Sequence, residues 1–423
     1  MAAEEAQARE FDLVLYGASG FVGRLTAAHV AQRAPDFARI AVAGRNRDKL
    51  QAVLDGIGGV AHTWPIIEAD ASDPDSLRAL ARRARVIVTT VGPYAQYGMP
   101  LVRACAEEGT DYADLTGEQL FVHDTVEQCH ELAAASGARI VHSCGFDSIP
   151  SDINAYLLYK HVLADDAGEL LDTTLYVKAA RGGLSGGTVA SGRYQMEREA
   201  RDKELARITH DPYTFSTDRA LEPELGEQPE GGFGKASDID PGLRGWTGTF
   251  LMAPYNTRIV RRTNGLLGWA YGKQFRYREV MGTGSGAAAP IVAGTMSAAL
   301  GALWKLGPTM FRRVPRPILD RVLPAPGTGP SDESRANGFF VIETYADTTS
   351  GARYKATFAA QGDPGYAATA VMLGESGLCL ALDRGELSSL VGVVTPAAVM
   401  GDVLPRRLRE AGVTVATERL PAS

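Results

Sequence analysis

Gly17, Gly20 and Gly23 recur at every third position in Gly17-Ala18-Ser19-Gly20-Phe21-Val22-Gly23, directly after the apolar run Phe11 to Tyr16. Glycines so spaced, between a strand and a helix, allow a tight turn and let the backbone approach a pyrophosphate seated on the helix N-terminus. The stretch is therefore read as a dinucleotide loop, with Gly17, Ser19, Gly20, Phe21, Val22 and Gly23 as cofactor contacts. An NAD site would carry a carboxylate about 20 residues further on, for the ribose 2′-hydroxyl. Here Ala43-Gly44-Arg45 occupies that place, and no acid occurs between Asp36 and Asp48. A guanidinium fork suits a 2′-phosphate, so Arg45, assisted by Arg47 or Lys49, points to NADP(H).

Other chemistry-bearing residues are expected at the carboxyl ends of the following strands. Asp70 closes the third predicted strand, where it either meets the adenine amino group or makes a turn. Val91-Gly92-Pro93-Tyr94 closes the fourth, so Gly92 and Pro93 shape the backbone beside the nicotinamide. Tyr94 or Tyr97 offers a phenolic proton donor, and a packed ring is the other reading. Ser143 to Pro150 follows the last parallel strand. There Ser148 is a catalytic candidate and Asp147 a substrate contact, while the first reading of either is an N-cap of the following helix, and both roles can hold for one residue. Gly182 to Thr188 is a glycine-rich helix start whose N–H groups could hold a carbonyl, carboxylate or phosphate, with Ser185 and Thr188 at the substrate. A simple tight connection accounts for it as well. Cys105, Cys129, Cys144 and Cys379 have no paired spacing, and the seven His form no ligand motif, so no metal site is expected.

The elements that must position these residues alternate strand and helix through the first third of the chain. Strands are predicted at 11–16, 39–43, 64–68, 85–90, 111–113 and 139–142. Helices fall between them, one beginning at Pro100. That order implies a parallel sheet covered on both faces. After about residue 150 the pattern changes to strands and lone helices: strands at 172–179, 247–252, 274–281, 339–345 and 354–360, and helices at 188–208, 366–382 and 397–410. The expected fold class is thus α/β, an N-terminal Rossmann doubly wound parallel sheet with a second α+β domain on a mixed or antiparallel sheet. The expected domains are 1–150 for NADP, 151–390 for substrate, and 391–423 as a C-terminal helical segment packing back on the first domain. Residues 324–338, rich in Pro and Gly, are read as a linker or lid.

A length of 423 residues accommodates two such domains, and 45% apolar residues suffice for real cores. The net charge of -7 excludes a general nucleic-acid binder. Residues 1–10 hold no apolar run, so a cytoplasmic protein is expected. Val280 to Trp304 carries no charge over 25 residues but is rich in Ala and Gly, which favours a buried or interfacial helix over a membrane span. Basic residues flank it: Arg258, Arg261, Arg262, Lys273, Arg276 and Arg278 before, and Lys305, Arg312, Arg313, Arg316 and Arg321 after. Residues 258–321 could therefore meet the anionic inner face of the plasma membrane or an acidic partner, or be ordinary solvated charge.

Together, Tyr16 to Gly23, Ala43-Gly44-Arg45, Val91 to Tyr94, Cys105 to Glu118, Gly145 to Pro150 and Ser185 to Thr188 resemble the saccharopine dehydrogenase-like oxidoreductases, and the overall length with the run Phe11 to Gly17 most resembles the actinobacterial trans-acting enoyl reductases. The resemblance implies an NADP-dependent enzyme serving a polyketide synthase that lacks its own enoyl-reductase domain, in phthiocerol-type glycolipid biosynthesis. Its substrate would be an α,β-unsaturated acyl thioester on the synthase's acyl carrier domain, and a homodimer is compatible with it. The alternatives are a saccharopine dehydrogenase-like reductase of an imine or amino acid, or a non-catalytic NADP-binding scaffold associated with lipid.

Overall fold

A computed structural model of the protein describes residues 9–182, 186–313 and 337–421, apart from the side chains of 186–190 and 305–313. Its first six strands are β1 (Phe11–Tyr16), β2 (Ile40–Gly44), β3 (Ile66–Glu68), β4 (Ala84–Thr89), β5 (Asp111–Ala113) and β6 (Arg139–Val141). Next come β7 (Leu170–Arg181), β8 (Gly234–Lys235), β9 (Trp246–Thr249), β10 (Arg276–Gly284), β11 (Phe339–Thr348) and β12 (Arg353–Gln361). The last two are β13 (Gly392–Val394) and β14 (Thr414–Arg419).

The strands form two seven-stranded sheets. In the first, the order is β13-β6-β5-β4-β1-β2-β3 and every pairing is parallel. This is the doubly wound order with one extra strand. All six residues of β1 are buried, as a strand covered on both faces requires. The order reverses between β1 and β4, so the loops after these two strands diverge there and leave a crevice. The second sheet runs β14-β12-β11-β7-β10-β9-β8. Only β7 and β10 pair in parallel; the rest is antiparallel, which makes a mixed sheet.

The chain divides into two compact units that are not continuous in sequence. The first comprises 1–116, 124–145 and 369–407; the second comprises 117–123, 146–368 and 408–423. These boundaries differ from the sequence expectation of three consecutive segments. Residues 391–423 contain β13 and β14 as well as helices, so the segment contributes an edge strand to each sheet. The helix Thr369–Leu382 belongs to the first unit and packs on the helix Phe21–Arg33. Its carboxylate Glu375 is fully buried there, held by His29 Nε2 and Arg33 Nε, both at 2.9 Å. Pro364–Leu382 is, among the described residues, the one helix long and apolar enough to cross a membrane, and 78% of its most apolar window is buried in the protein.

Three further expectations are corrected. The helix foreseen over 188–208 is two, Gly186–Arg201 and Lys203–His210, because Asp202 accepts from Glu204 N at 2.9 Å and starts a new helix. The uncharged run 280–304 is not one helix: its start is the end of β10, and the helix begins at Ala289. The helix expected from Pro100 begins at Tyr94 and carries Pro100 inside it. Lys305, Arg312 and Arg313 have side chains outside the described residues, as do Arg316, Arg321 and residues 324–336 altogether.

Candidate functional site

In the first unit, the loop after β1 is fixed from several sides. Gly17 N donates to Ala43 O at 2.9 Å, and Gly20 N donates to Gly17 O at 2.9 Å. Thr90 Oγ1 donates to Gly17 O at 3.1 Å, tying the loop to the end of β4. Gly17 has φ +91°, a conformation that glycine adopts without strain. A methyl group on Gly23 would lie 2.3 Å from Gly17 O and 2.9 Å from Ala18 Cα. The helix Phe21–Arg33 thus starts with its backbone pressed against the loop, with no acid in its first turn and no side-chain cap at Gly20. Ser19 and Gly20 are exposed. An exposed, uncapped helix start is a cradle for a phosphate, so the loop fits a dinucleotide.

Arg45 follows β2 and is exposed, with no ion pair among the described residues. Asn46 caps the next helix by accepting from Lys49 N at 2.8 Å, which leaves Arg45 out of the cap. Asp70 lies two residues beyond the end of β3 and makes a turn, accepting from Ser72 N at 2.9 Å and Ser72 Oγ at 2.8 Å. Those bonds, with Arg45 nearby, hold its carboxyl below the usual range. Gly92 and Pro93 follow β4, three and four residues beyond its last residue, Thr89. Tyr94 is buried and its hydroxyl donates to Thr89 O at 3.1 Å, a packed role rather than an open proton donor.

At the ends of β5 and β6 lies a buried network that sequence reasoning missed. Asp114 Oδ2 accepts from Tyr112 Oη at 2.9 Å and meets His142 Nδ1 at 2.8 Å. Asp114 Oδ1 accepts from Ser143 N at 3.0 Å, and His142 Nε2 meets Thr125 Oγ1 at 2.9 Å. This holds Ser143 at φ +65°, unusual for a residue with a side chain, and so shapes the turn that leads to Gly145. All five residues are buried, so they position the turn rather than touch ligand.

In the second unit, the residues after that turn form another network. Ser148 stands at the N-cap of the helix Ile149–Ala164 but makes no capping bond. Its hydroxyl donates instead to Asn256 Oδ1 at 2.9 Å, and Asn256 Nδ2 donates to Glu279 Oε2 at 2.9 Å. Tyr277 Oη donates to Glu279 Oε1 at 2.9 Å. Glu279 is fully buried, and burial pushes its carboxyl up to about 7 despite these bonds. Strand alternation places Tyr277 and Glu279 on one face of β10; a lone acid in phase with a buried Tyr was the signal available. A raised folded pKa means stability is complete below the unfolded value near 4.5 and is lost as pH climbs to about 7. Glu279→Gln is expected to remove the part of the pH dependence that Glu279 contributes, about 3 kcal/mol. Melting temperatures of both proteins from pH 4.5 to 8 would check it: a wild-type curve that falls no more steeply than the variant's contradicts the assignment.

Asp147 precedes Ser148 and is half-buried. Among the described residues no hydrogen bond or cation holds its carboxyl, and burial pushes it up to about 6. Its Oδ2 would lie 4.0 Å from a methyl group on Gly117, within the same unit. Of the other expected substrate contacts, Ser185 lies outside the described residues, as does the side chain of Thr188. All four cysteines are buried free thiols, and no group of metal ligands occurs among the described residues.

A doubly wound sheet with this glycine loop and Arg45 in the carboxylate's place defines an NADP-dependent oxidoreductase. Residues 13–141 match the saccharopine dehydrogenase NADP-binding domain. The chain has the fold of a saccharopine dehydrogenase (L-Glu forming) from Saccharomyces cerevisiae, with TM-score 0.54 and 12% identity over 97% of this chain and 99% of that one. It is 53% identical to a trans-acting enoyl reductase of Mycobacterium ulcerans and 52% identical to one of Mycobacterium tuberculosis, in each case over 97% of this chain and 99% of the relative. The chain belongs to the trans-acting enoyl reductase family.

Proposed function

We propose that the protein uses NADPH to reduce the carbon–carbon double bond of an α,β-unsaturated acyl thioester carried by a separate polyketide synthase, in the cytoplasm. The observation that carries this reading is the 53% identity over 99% of a named trans-acting enoyl reductase, which extends through the second unit as well as the nucleotide-binding one. The same reading assigns the substrate to glycolipid assembly of the phthiocerol type and the docking partner to the synthase's acyl carrier domain.

The glycine loop from Gly17 to Gly23, with Ser19, Phe21 and Val22, would hold the pyrophosphate. Arg45 would hold the 2′-phosphate, and Asp70, Gly92 and Pro93 would border the two rings. When bound, NADPH supplies hydride to the β-carbon. Asp147 then gives its carboxyl proton to the α-carbon and is reprotonated from water: its carboxyl, raised toward neutrality, can be protonated near working pH. Ser148 acts through Asn256 to fix the loop that carries Asp147, and is a positioning residue. Tyr94, with its hydroxyl bonded to Thr89 O, keeps a packing role. The membrane surface foreseen over 258–321 loses its inner arginines, since Arg258, Arg261 and Arg262 are all buried; it is not part of this proposal.

Following absorbance loss of NADPH with enoyl thioesters, free and carrier-bound, tests the reading. Carrier-dependent oxidation supports it, and oxidation with imines alone would replace it by the amino-acid reading. Arg45→Ala is expected to raise the Kd for NADPH about 10- to 100-fold, as loss of a charged hydrogen bond of about 1.5–3 kcal/mol implies, while leaving NADH affinity unchanged. Parallel titrations with the two nucleotides measure that ratio.

A further inference from the structure

Arg258, Arg261 and Arg262 share one face of the helix Ala253–Leu266 in the second unit, and that face turns inward. Their exposures are 2%, 3% and 5%. They wall a pocket together with Tyr213, Ser216 and Trp269, whose rim is formed by the exposed Leu221 and its neighbours.

Three buried cations so close together need compensation, because an ion removed from water without a partner is costly. Glu230 pairs with Arg258. Arg261 has no such partner among the described residues: its hydrogen bonds go to the carbonyls of Pro212 and Tyr277, both long at 3.4 Å. The Nε atoms of Arg258 and Arg261 are buried without an acceptor among the described residues. Burial and the neighbouring Arg258 push Arg261 down to about 10, and burial pushes Arg262 down to about 9, so both remain cationic at neutral pH. Of the other acids nearby, Asp211 and Glu222 are engaged by Arg219, while Asp218 lines the exposed edge of the pocket. The hydroxyl of Ser216 adds a further polar group to the wall.

We propose that this pocket is a binding site for an oxyanion of the phosphate class, with Arg261 as its principal ligand and Arg258 and Arg262 supplying the field. A planar guanidinium with idle N–H donors is suited to such an anion, and the aromatic walls exclude competing water. Two sources share this chemistry: free inorganic phosphate, and a phosphate ester on the arm that carries a thioester substrate. The site stands independently of the proposed reaction.

The test uses the full chain saturated with NADP+, which blocks the glycine loop and Arg45 against the probe. Inorganic phosphate and 4′-phosphopantetheine are titrated separately by calorimetry. Saturable binding of either is expected, weakened about tenfold or more in Arg261→Gln. Tighter binding of the phosphopantetheine identifies the substrate arm as the source, and equal or weaker binding identifies the free ion. Leu221→Glu places a carboxylate at the rim without touching the interior, and is expected to weaken binding even if Arg261→Gln does not fold. Absence of saturable binding by both probes, or wild-type affinity in Leu221→Glu, overturns the proposal.

Discussion

Asp147→Asn is expected to lower kcat for enoyl-thioester reduction about 100-fold or more, the usual range for losing a positioned general acid. The Asp147 carboxyl is half-buried, raised to about 6 by desolvation and bound by no cation among the described residues. Asparagine keeps the shape and removes the proton. In the wild type the active form is the protonated one. Its kcat should therefore hold below about pH 6 and fall about tenfold per unit above it, while the residual rate of the variant shows no such dependence. NADPH affinity should be unchanged in the variant, which separates loss of proton transfer from a folding defect. A variant that keeps both the rate and the pH profile of the wild type would remove Asp147 from the reaction.

Gly23→Ala is expected to weaken NADPH binding about 100-fold, near the upper end of the usual cost of overpacking a tight site, 1–3 kcal/mol. The added methyl would meet Gly17 O at 2.3 Å and Ala18 Cα at 2.9 Å. Both are backbone atoms of the phosphate loop and cannot step aside as a flexible side chain would. Gly20→Ala makes the comparison: its methyl would lie 3.3 Å from Gly17 O and should cost much less. Fluorescence titration with NADPH gives both constants, and circular dichroism confirms that each variant is folded. Equal affinities in the two variants would show that loop packing does not set binding.

The first unit was legible because its signals are local. A continuous apolar run, a glycine loop and a helix follow one another within residues 11–33, and each step constrains the next. The absence of an acid before Arg45 could be read in the same way. What escaped depends on distant partners. Gly392–Val394 is a three-residue strand whose only definition is its pairing with Arg139–Val141. The arginines at 258, 261 and 262 have the spacing of one helical face, but spacing does not say whether that face meets solvent or core. Asp114 and Glu279 look like ordinary acids in sequence, and only their buried partners reveal what they hold. Ser148 reads as a helix cap until Asn256, more than a hundred residues later, takes its hydroxyl.

The parallel sheet also has a history in time. Its seventh strand and the helix Thr369–Leu382 leave the ribosome only after the whole insertion from 146 to 368 has been synthesised. Until then the edge of β6 is unpaired, and unpaired edges invite association with other chains. The helix Phe21–Arg33 meanwhile lacks the apolar surface it will bury against. Nascent chains therefore pass through a half-built state in which this strand edge and this helix face are uncovered. A fragment truncated after the sixth strand would be left in that state permanently, however complete its nucleotide loop.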